Sequence, residues 1–259
     1  MSDELVLMVE RGPLVELTMN RPGNRNALSR SMLNALSVAL SEAGRSAARA
    51  VILSGAGDQF CAGHDLRELA ALTEPEEYRA VFDDCVNLMG IIGELPQPVI
   101  AKVQGVATAA GCQLVAACDL AVASENARFA TPGVNIGLFC STPMVALARN
   151  VPRKHALEML LTGEFIDAVR ARQIGLVNRV VAAEQLAAAT EAFALKVAEK
   201  SAVAVGIGKP AFYRQLEMPL LEAYRYTAAV MVSNMLKDDA REGIDAFLNK
   251  RQPSWGSSS

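Results

Sequence analysis

The chain has 259 residues, of which 51% are hydrophobic and 20% are charged, and its formal net charge is -3. This length and composition are typical of a globular protein with a sizeable core. The weak negative charge argues against a nucleic-acid partner, because such proteins usually carry a basic patch. No apolar run approaches the roughly eighteen residues of a membrane span, so we expect no such segment.

Strand patterns and helix patterns alternate along the first half of the chain. The strand patterns lie at about 5–9, 14–20, 50–54, 98–104 and 119–123. The helix patterns lie near 29–44, 76–94 and 111–117. This alternation predicts an α/β fold.

Beyond residue 140 the patterns become mostly helical. Helices are predicted near 142–150, 153–162, 167–174, 184–200 and 218–249, with a short strand at 176–181 and an interruption at Pro210. We therefore divide the chain into a core, residues 1–200, and a C-terminal helical region, residues 201–259. Residues 222–248 are apolar on more than one face, which predicts packing against another chain.

Histidine and cysteine usage limits the metal and redox chemistry. The two histidines, His64 and His155, are too few for a multi-histidine metal site, and no Cys/His spacing indicates zinc. The five cysteines form no CxxC pair, and the first twenty residues do not have the composition of a secretory leader or an Arg-rich transit peptide. We expect reduced thiols, no metal and a cytoplasmic protein.

Two strand–loop–helix segments, residues 53–66 and 99–114, carry glycines at their turns. One backbone N–H from each loop can converge on a single developing negative oxygen, helped by the helix dipole behind the second loop. Glycine spacing alone favours ordinary tight turns. A dinucleotide site is disfavoured, because Gly55-Ala56-Gly57 lacks the third glycine of that fingerprint.

Five motifs follow one another in an order and spacing that resemble the crotonase (enoyl-CoA hydratase/isomerase) superfamily, over essentially the whole chain. They are Asn20-Arg21-Pro22 with Asn26-Ala27-Leu28, Phe60-Cys61-Ala62-Gly63-His64-Asp65-Leu66, Gly105-Val106-Ala107 with Gly111-Cys112-Gln113, Cys118-Asp119-Leu120-Ala121-Val122-Ala123, and Glu242-Gly243 with Ala246-Phe247 and Lys250-Arg251. Segments 63–66, 107–113 and 137–143 further resemble one vertebrate branch of that family.

The resemblance implies a crotonase-like spiral of ββα units with a C-terminal helical trimerisation region, assembled as a homotrimer or a dimer of trimers. It also implies an acyl-CoA thioester ligand, in which coenzyme A is part of the substrate, so that no separate cofactor is expected. The thioester oxygen is then held by the N–H groups of His64 and Ala110. Ala110 stands where the family usually has glycine, but only its backbone is needed.

The same resemblance assigns residues to the coenzyme A part of the ligand. The carbonyl groups of Ala27 and Ala62 are expected to accept hydrogen bonds from the adenine amine. Phosphate contacts are assigned to Arg25 and Arg67, for which a solvated surface position is the alternative. Two residues of the last helical segment match positions that reach the CoA of a neighbouring subunit, namely Phe247 and Lys250.

The departures from the family pattern concern the proton-transfer groups. A hydratase of this family uses two glutamates, and the corresponding positions here are Gln113 and Gly133. Glutamine can orient a water molecule but cannot take its proton, so true hydratase activity is doubtful. The isomerases need one carboxylate, at the Gly133 position or near Ser141, and neither position carries one.

Other residues are candidates for proton transfer, each with a structural alternative. His64 can titrate near neutral pH, or it can pack or cap beside Asp65. Cys140 can act as a nucleophile or weak base, although buried cysteines are usually inert. Two classes of function therefore remain, an enzyme of lyase or isomerase type that acts through a thioester enolate, and a non-catalytic acyl-CoA-binding or regulatory protein.

Overall fold

The computed structural model describes residues 4–256, which contain nine strands and eleven helices. The strands are β1 (Val6–Arg11), β2 (Leu14–Met19), β3 (Ala50–Gly55), β4 (Val99–Val103), β5 (Val106–Thr108), β6 (Leu120–Ser124), β7 (Arg128–Ala130), β8 (Ile166–Asp167) and β9 (Arg179–Val181). The helices are α1 (Arg30–Arg45), α2 (Leu66–Ala71), α3 (Pro75–Glu94), α4 (Ala110–Ala117), α5 (Ser141–Asn150), α6 (Arg153–Thr162), α7 (Ala168–Gln173), α8 (Leu186–Ala198), α9 (Ala202–Gln215), α10 (Leu220–Met235) and α11 (Asp238–Leu248).

Two sheets organise these elements. The larger sheet has the strand order β1-β2-β3-β4-β6-β9, in which β1 and β2 form an antiparallel hairpin and the other neighbours are parallel. The smaller sheet, β5-β7-β8, lies outside the sequence prediction. Its strands have two or three residues each, which is too short for a two-residue periodicity to stand out. The α/β class is confirmed.

The larger sheet is covered on both faces. Successive side chains of a strand point to opposite faces of the sheet, and both sets are buried in its central strands. Val15, Leu17, Val51 and Leu53 belong to the main core cluster, which also contains the apolar face of α1. Their neighbours Leu14 and Ile52 face a second cluster built with α8. Because both faces are buried, the central strands present nearly continuous apolar runs.

The C-terminal region differs from the prediction at Pro210, which lies inside α9 and does not interrupt it. The helix is anchored on both sides of the proline, because Lys209 and Ala211 are buried. The single pattern predicted over 218–249 is two helices, since the chain breaks between α10 and α11 at Leu236 and Lys237. Along residues 4–256, no helix is long and apolar enough to cross a bilayer.

Candidate active site

Backbone hydrogen bonds bring the two glycine-containing loops together. The loop after β3 pairs with β5, because Cys61 N–H donates to the Val106 carbonyl (3.1 Å) and Thr108 N–H donates to the Cys61 carbonyl (3.0 Å). Its other side is held by Leu28, whose N–H donates to the Gly63 carbonyl at 2.8 Å. Residues 61–65 are thus fixed between two neighbouring segments.

At this junction the N–H groups of His64 and Ala110 both lack a protein acceptor among residues 4–256. Ala110 opens α4, where the first N–H groups have no partner within the helix. The two loops approach closely, since a Cβ built on Gly63 would lie 3.3 Å from the Ala110 nitrogen and 2.9 Å from the Thr108 oxygen. Gly63 also has φ +89°, a conformation that favours glycine.

A cavity of 490 Å³ opens beside these two N–H groups. Its lining combines the two loops, the α2–α3 region and residues 132–143. In the part of the chain that the structure describes, His64 and Cys140 are the titratable side chains of this lining, and no carboxylate, lysine or arginine contributes to it.

The His64 side chain is half-buried and packs edge-on against Phe82, with ring centroids 5.5 Å apart. Burial lowers the pKa of its imidazole below the ordinary value of 6.5, so the ring is neutral at pH 7. Its Nε2 atom is buried and has no hydrogen-bond partner within residues 4–256. His64 therefore has one unpaired ring nitrogen, which is buried and not exposed to the cavity. The ring does not cap α2, because the Asp65 side chain accepts from the Arg67 N–H.

Gly133, where a hydratase carries its second glutamate, has no room for a side chain. A Cβ at this position would lie 2.4 Å from the Leu138 carbonyl oxygen and 2.8 Å from Cys140 Sγ. The Gly133 N–H donates to Cys140 Sγ at 3.4 Å. Burial raises the pKa of the Cys140 thiol, and this hydrogen bond opposes the rise.

Gln113 is buried but is not part of the cavity lining. Its Oε1 atom accepts from the Cys85 thiol, with a sulfur-to-oxygen distance of 4.0 Å. Burial raises the pKa of the Cys85 thiol to about 11. Of the three predicted catalytic residues, His64 and Ala110 therefore line the cavity, whereas Gln113 does not and contacts Cys85 instead.

A second cavity of 400 Å³ lies next to the first and shares Ala62 and Pro132 with it. Arg25 contributes to its lining, and the Ala62 N–H donates to the Arg25 carbonyl at 3.1 Å. The carbonyl groups predicted to bind adenine already accept one hydrogen bond each, at Ala62 from the Thr108 hydroxyl (3.1 Å) and at Ala27 from the Ser29 N–H (3.1 Å). A carbonyl oxygen has two lone pairs, so one remains at each residue. Ala62 lines both cavities, whereas Ala27 is buried and lines neither of them.

The remaining predicted ligand-binding residues lie outside both cavities. Arg67 is exposed on α2 and lines neither of them. Phe247 and Lys250 lie at and after the end of α11, where Phe247 lines a separate apolar depression with Met231. Within a single chain the structure therefore does not bring these three residues to the predicted CoA site.

Two features of the second cavity escaped the sequence analysis. The Arg128 guanidinium lies 4.9 Å from the ring centre of Phe165, which lines this cavity. Asn26 is fully buried, and its amide donates to the Ala56 and Gln59 carbonyls at 2.9 and 2.8 Å. These bonds join the Arg25 turn to the loop after β3, and the motif Asn26-Ala27-Leu28 did not indicate such contacts in sequence.

Among residues 4–256, the other cysteines and the acidic residues form neither a reactive thiol nor a metal site. All five cysteines are free and buried, and burial raises the pKa of Cys61 and of Cys112 to about 12. Over residues 4–256, no group of three or more His, Cys, Asp or Glu side chains is placed to hold a metal ion.

The fold and the paired loops define a member of the enoyl-CoA hydratase/isomerase family, and the chain belongs to that family, which matches residues 10–258. Among its relatives is the Xenopus laevis enoyl-CoA hydratase domain-containing protein 3, mitochondrial, which is 50% identical over 251 residues, covering 96% of this chain and 85% of the relative. This is the vertebrate branch that segments 63–66, 107–113 and 137–143 resemble.

Solved structures agree with this assignment. The enoyl-CoA hydratase of Mycobacterium smegmatis superposes with a TM-score of 0.95 at 51% identity, covering 97% of this chain and 98% of that one. The human enoyl Coenzyme A hydratase domain-containing protein 3 superposes with a TM-score of 0.94 at 46% identity, covering 97% and 100%. The predicted crotonase-like fold is confirmed.

The prediction of a cytoplasmic protein is wrong on this comparison. The relatives from frog, zebrafish, mouse and human are all named mitochondrial, which points away from the cytoplasm. The prediction relied on the composition of the N-terminal residues and on reduced thiols. The thiols do not report on the compartment in which a folded core works, because buried thiols stay reduced wherever they are shielded from oxidants.

Proposed function

We propose that this protein binds acyl-CoA thioesters and stabilises the enolate form of the thioester between the N–H groups of His64 and Ala110. The observation that carries the proposal is that these two N–H groups find no acceptor among residues 4–256 and belong to residues that line one cavity. Fixed donors of this kind stabilise developing negative charge because they need no reorganisation during the reaction. The second cavity, with Arg25 and the Ala62 carbonyl, suits the coenzyme A part of the ligand.

Water addition at an ordinary hydratase rate is not part of the proposal. The position of the second glutamate is a glycine without space for a side chain, and Gln113 faces Cys85. Because each lost acid–base group costs about 10²–10⁴-fold in rate, the loss of both predicts crotonyl-CoA hydration at least about 10⁴-fold slower than in a two-glutamate hydratase. Turnover at an ordinary hydratase rate contradicts this expectation.

The oxyanion hole is tested with a chromophoric conjugated thioester, 4-(dimethylamino)cinnamoyl-CoA. Two N–H donors at its carbonyl oxygen polarise the conjugated system, so its absorbance is expected to shift to longer wavelength on binding. The Gly63→Ala variant places a methyl group beside the oxyanion hole, which is formed by the N–H groups of His64 and Ala110. This variant is expected to lose the absorbance shift. Gly57→Ala is the matched control, because Gly57 also has a positive φ and its Cβ would also meet an atom at 2.9 Å, but it lies outside the cavity.

A non-catalytic acyl-CoA-binding protein is the second candidate, and the lining of the cavity favours it. The titratable groups there, His64 and Cys140, are both expected to be neutral at pH 7. Exchange of the α-protons of butyryl-CoA in D2O separates the two candidates, because exchange requires a base that removes the proton. Exchange that His64→Gln abolishes supports the enzyme, whereas tight binding without exchange supports the binding protein.

A further inference from the structure

The chemistry of the first cavity indicates which acyl groups it can take. None of its seventeen lining residues is a lysine, arginine, aspartate or glutamate. Its histidine is uncharged at neutral pH, since burial lowers the pKa of His64. An ionised carboxylate placed in such a lining would lose its water without gaining a counter-charge, which is strongly unfavourable.

The walls of the cavity are mostly apolar, and several of their large side chains are partly exposed. Leu66 and Phe82 come from the α2–α3 region, and Ile136 and Leu138 come from the segment before α5, with exposed fractions of 53%, 37%, 58% and 54%. Together they form an exposed apolar surface of the kind that marks a ligand-binding groove. An aliphatic chain lying between them would cover this surface.

The size of the cavity limits the length of that chain. If each heavy atom takes about 30 Å³, the share of one water molecule in the liquid, 490 Å³ holds about sixteen heavy atoms. The sulfur and oxygen of the thioester use about two of these places, so the cavity has room for an acyl chain of at most about fourteen carbons. A four-carbon acyl chain would leave most of the apolar walls in contact with water.

We propose that the cavity selects neutral aliphatic acyl groups of about eight to twelve carbons and rejects acyl chains that end in a carboxylate. This inference rests on the proposed function, because it assumes that the thioester end of the ligand lies at His64 and Ala110. The free energy of transfer of each additional methylene from water favours the longer chain.

Calorimetric titration of the full-length protein tests the inference with octanoyl-CoA, butyryl-CoA and 7-carboxyheptanoyl-CoA. We expect octanoyl-CoA to bind at least tenfold more tightly than butyryl-CoA and at least thirtyfold more tightly than 7-carboxyheptanoyl-CoA. Binding of the octanoyl and carboxyheptanoyl thioesters within threefold of each other overturns the inference and leaves the proposed function standing. Failure of all three thioesters and of free coenzyme A to bind overturns the proposed function itself.

A charge introduced into the wall gives an independent test. The Leu66→Lys variant supplies the missing cation and is expected to raise the affinity for 7-carboxyheptanoyl-CoA relative to octanoyl-CoA by at least tenfold. Val38→Lys is the matched control, because Val38 is also exposed on a helix, α1, but lies outside the cavity. An equal ratio of affinities in both variants contradicts the inference.

Discussion

At the residue scale, the loop before α4 contains a non-glycine residue in a conformation that favours glycine. Ala109 has φ 50° and ψ -119°, and its N–H donates to the Ala130 carbonyl at 2.9 Å. Such conformations cost about 1–3 kcal/mol and persist where the surrounding structure fixes them. Here the fixed conformation points the next N–H, that of Ala110, away from the protein's own acceptors.

The Ala109→Gly variant is therefore expected to be more stable. Relief of the strained backbone should raise the free energy of unfolding by about 1 kcal/mol, as measured by urea denaturation. Ala148→Gly is the control, because Ala148 is exposed in α5, where glycine costs about 0.5–1 kcal/mol. A loss of stability in both variants would show that Ala109 is not strained.

The buried imidazole of His64 makes stability depend on pH. Its pKa is lower in the folded chain than in the unfolded chain, because burial disfavours the charged ring. The unfolded state thus binds the proton first as pH falls, and stability is lost below the ordinary value of 6.5 with a slope of at most about 1.4 kcal/mol per pH unit.

The His64→Gln variant tests this dependence. It is expected to lose less stability than the parent protein between pH 6.5 and pH 5, as measured by urea unfolding at each pH. Carboxylates titrate alike in both proteins, so the difference between the two curves isolates His64. Parallel curves would mean that the imidazole is hydrated in the folded protein.

At the scale of elements, a buried ion pair joins α9 to the core. Lys209 Nζ lies 2.7 Å from Asp119 Oδ2 and donates to the Ile92 and Gln97 carbonyls. Asp119 accepts from the Val99 N–H at 2.7 Å and also from the Tyr213 hydroxyl at 2.7 Å. Burial lowers the pKa of Lys209, and the adjacent carboxylate opposes that shift.

The Lys209→Met variant is expected to lose about 3–5 kcal/mol of unfolding free energy, because it leaves the Asp119 charge buried without its cation. The control is Arg149→Met, which removes an exposed ion pair with Glu217 and should cost less than about 1 kcal/mol. Chemical denaturation of both variants measures the difference, and equal losses would contradict a special role for the buried pair.

At the scale of the whole molecule, the C-terminal helices have more apolar surface than one chain can cover. Helix α10 has no buried residue, although Leu220, Met231 and Val232 are on its surface. Phe247 at the end of α11 is 83% exposed. This surface is what a homotrimer or dimer of trimers would cover, and Phe247 and Lys250 are predicted to reach a neighbouring subunit in such an assembly.

The Val232→Glu variant places a charge within this apolar surface and is expected to dissociate the assembly. Light scattering coupled to size-exclusion chromatography measures the mass, which should fall from a multiple of the chain mass to that of one chain. Val38→Glu, on an exposed position of α1, should leave the mass unchanged. A parent protein that is itself monomeric would contradict the expectation.

Local sequence was sufficient for much of this architecture. Strands β1 to β4 and helices α1 and α3 lie within a few residues of their predictions, because their apolar periodicity and end signals are local properties. The two glycine-containing loops were also readable from the sequence, as was the absence of glutamate at 113 and 133.

Other features were decided only by the tertiary structure. The short strands β5, β7 and β8 exist because their backbone groups find partners far along the chain, and Pro210 continues α9 because its neighbours are anchored to the core. Likewise, Gln113 faces Cys85 and Gly133 is closed off by Leu138. Residue identity determines which groups can transfer a proton, but the packing of distant segments determines which of them face the cavity.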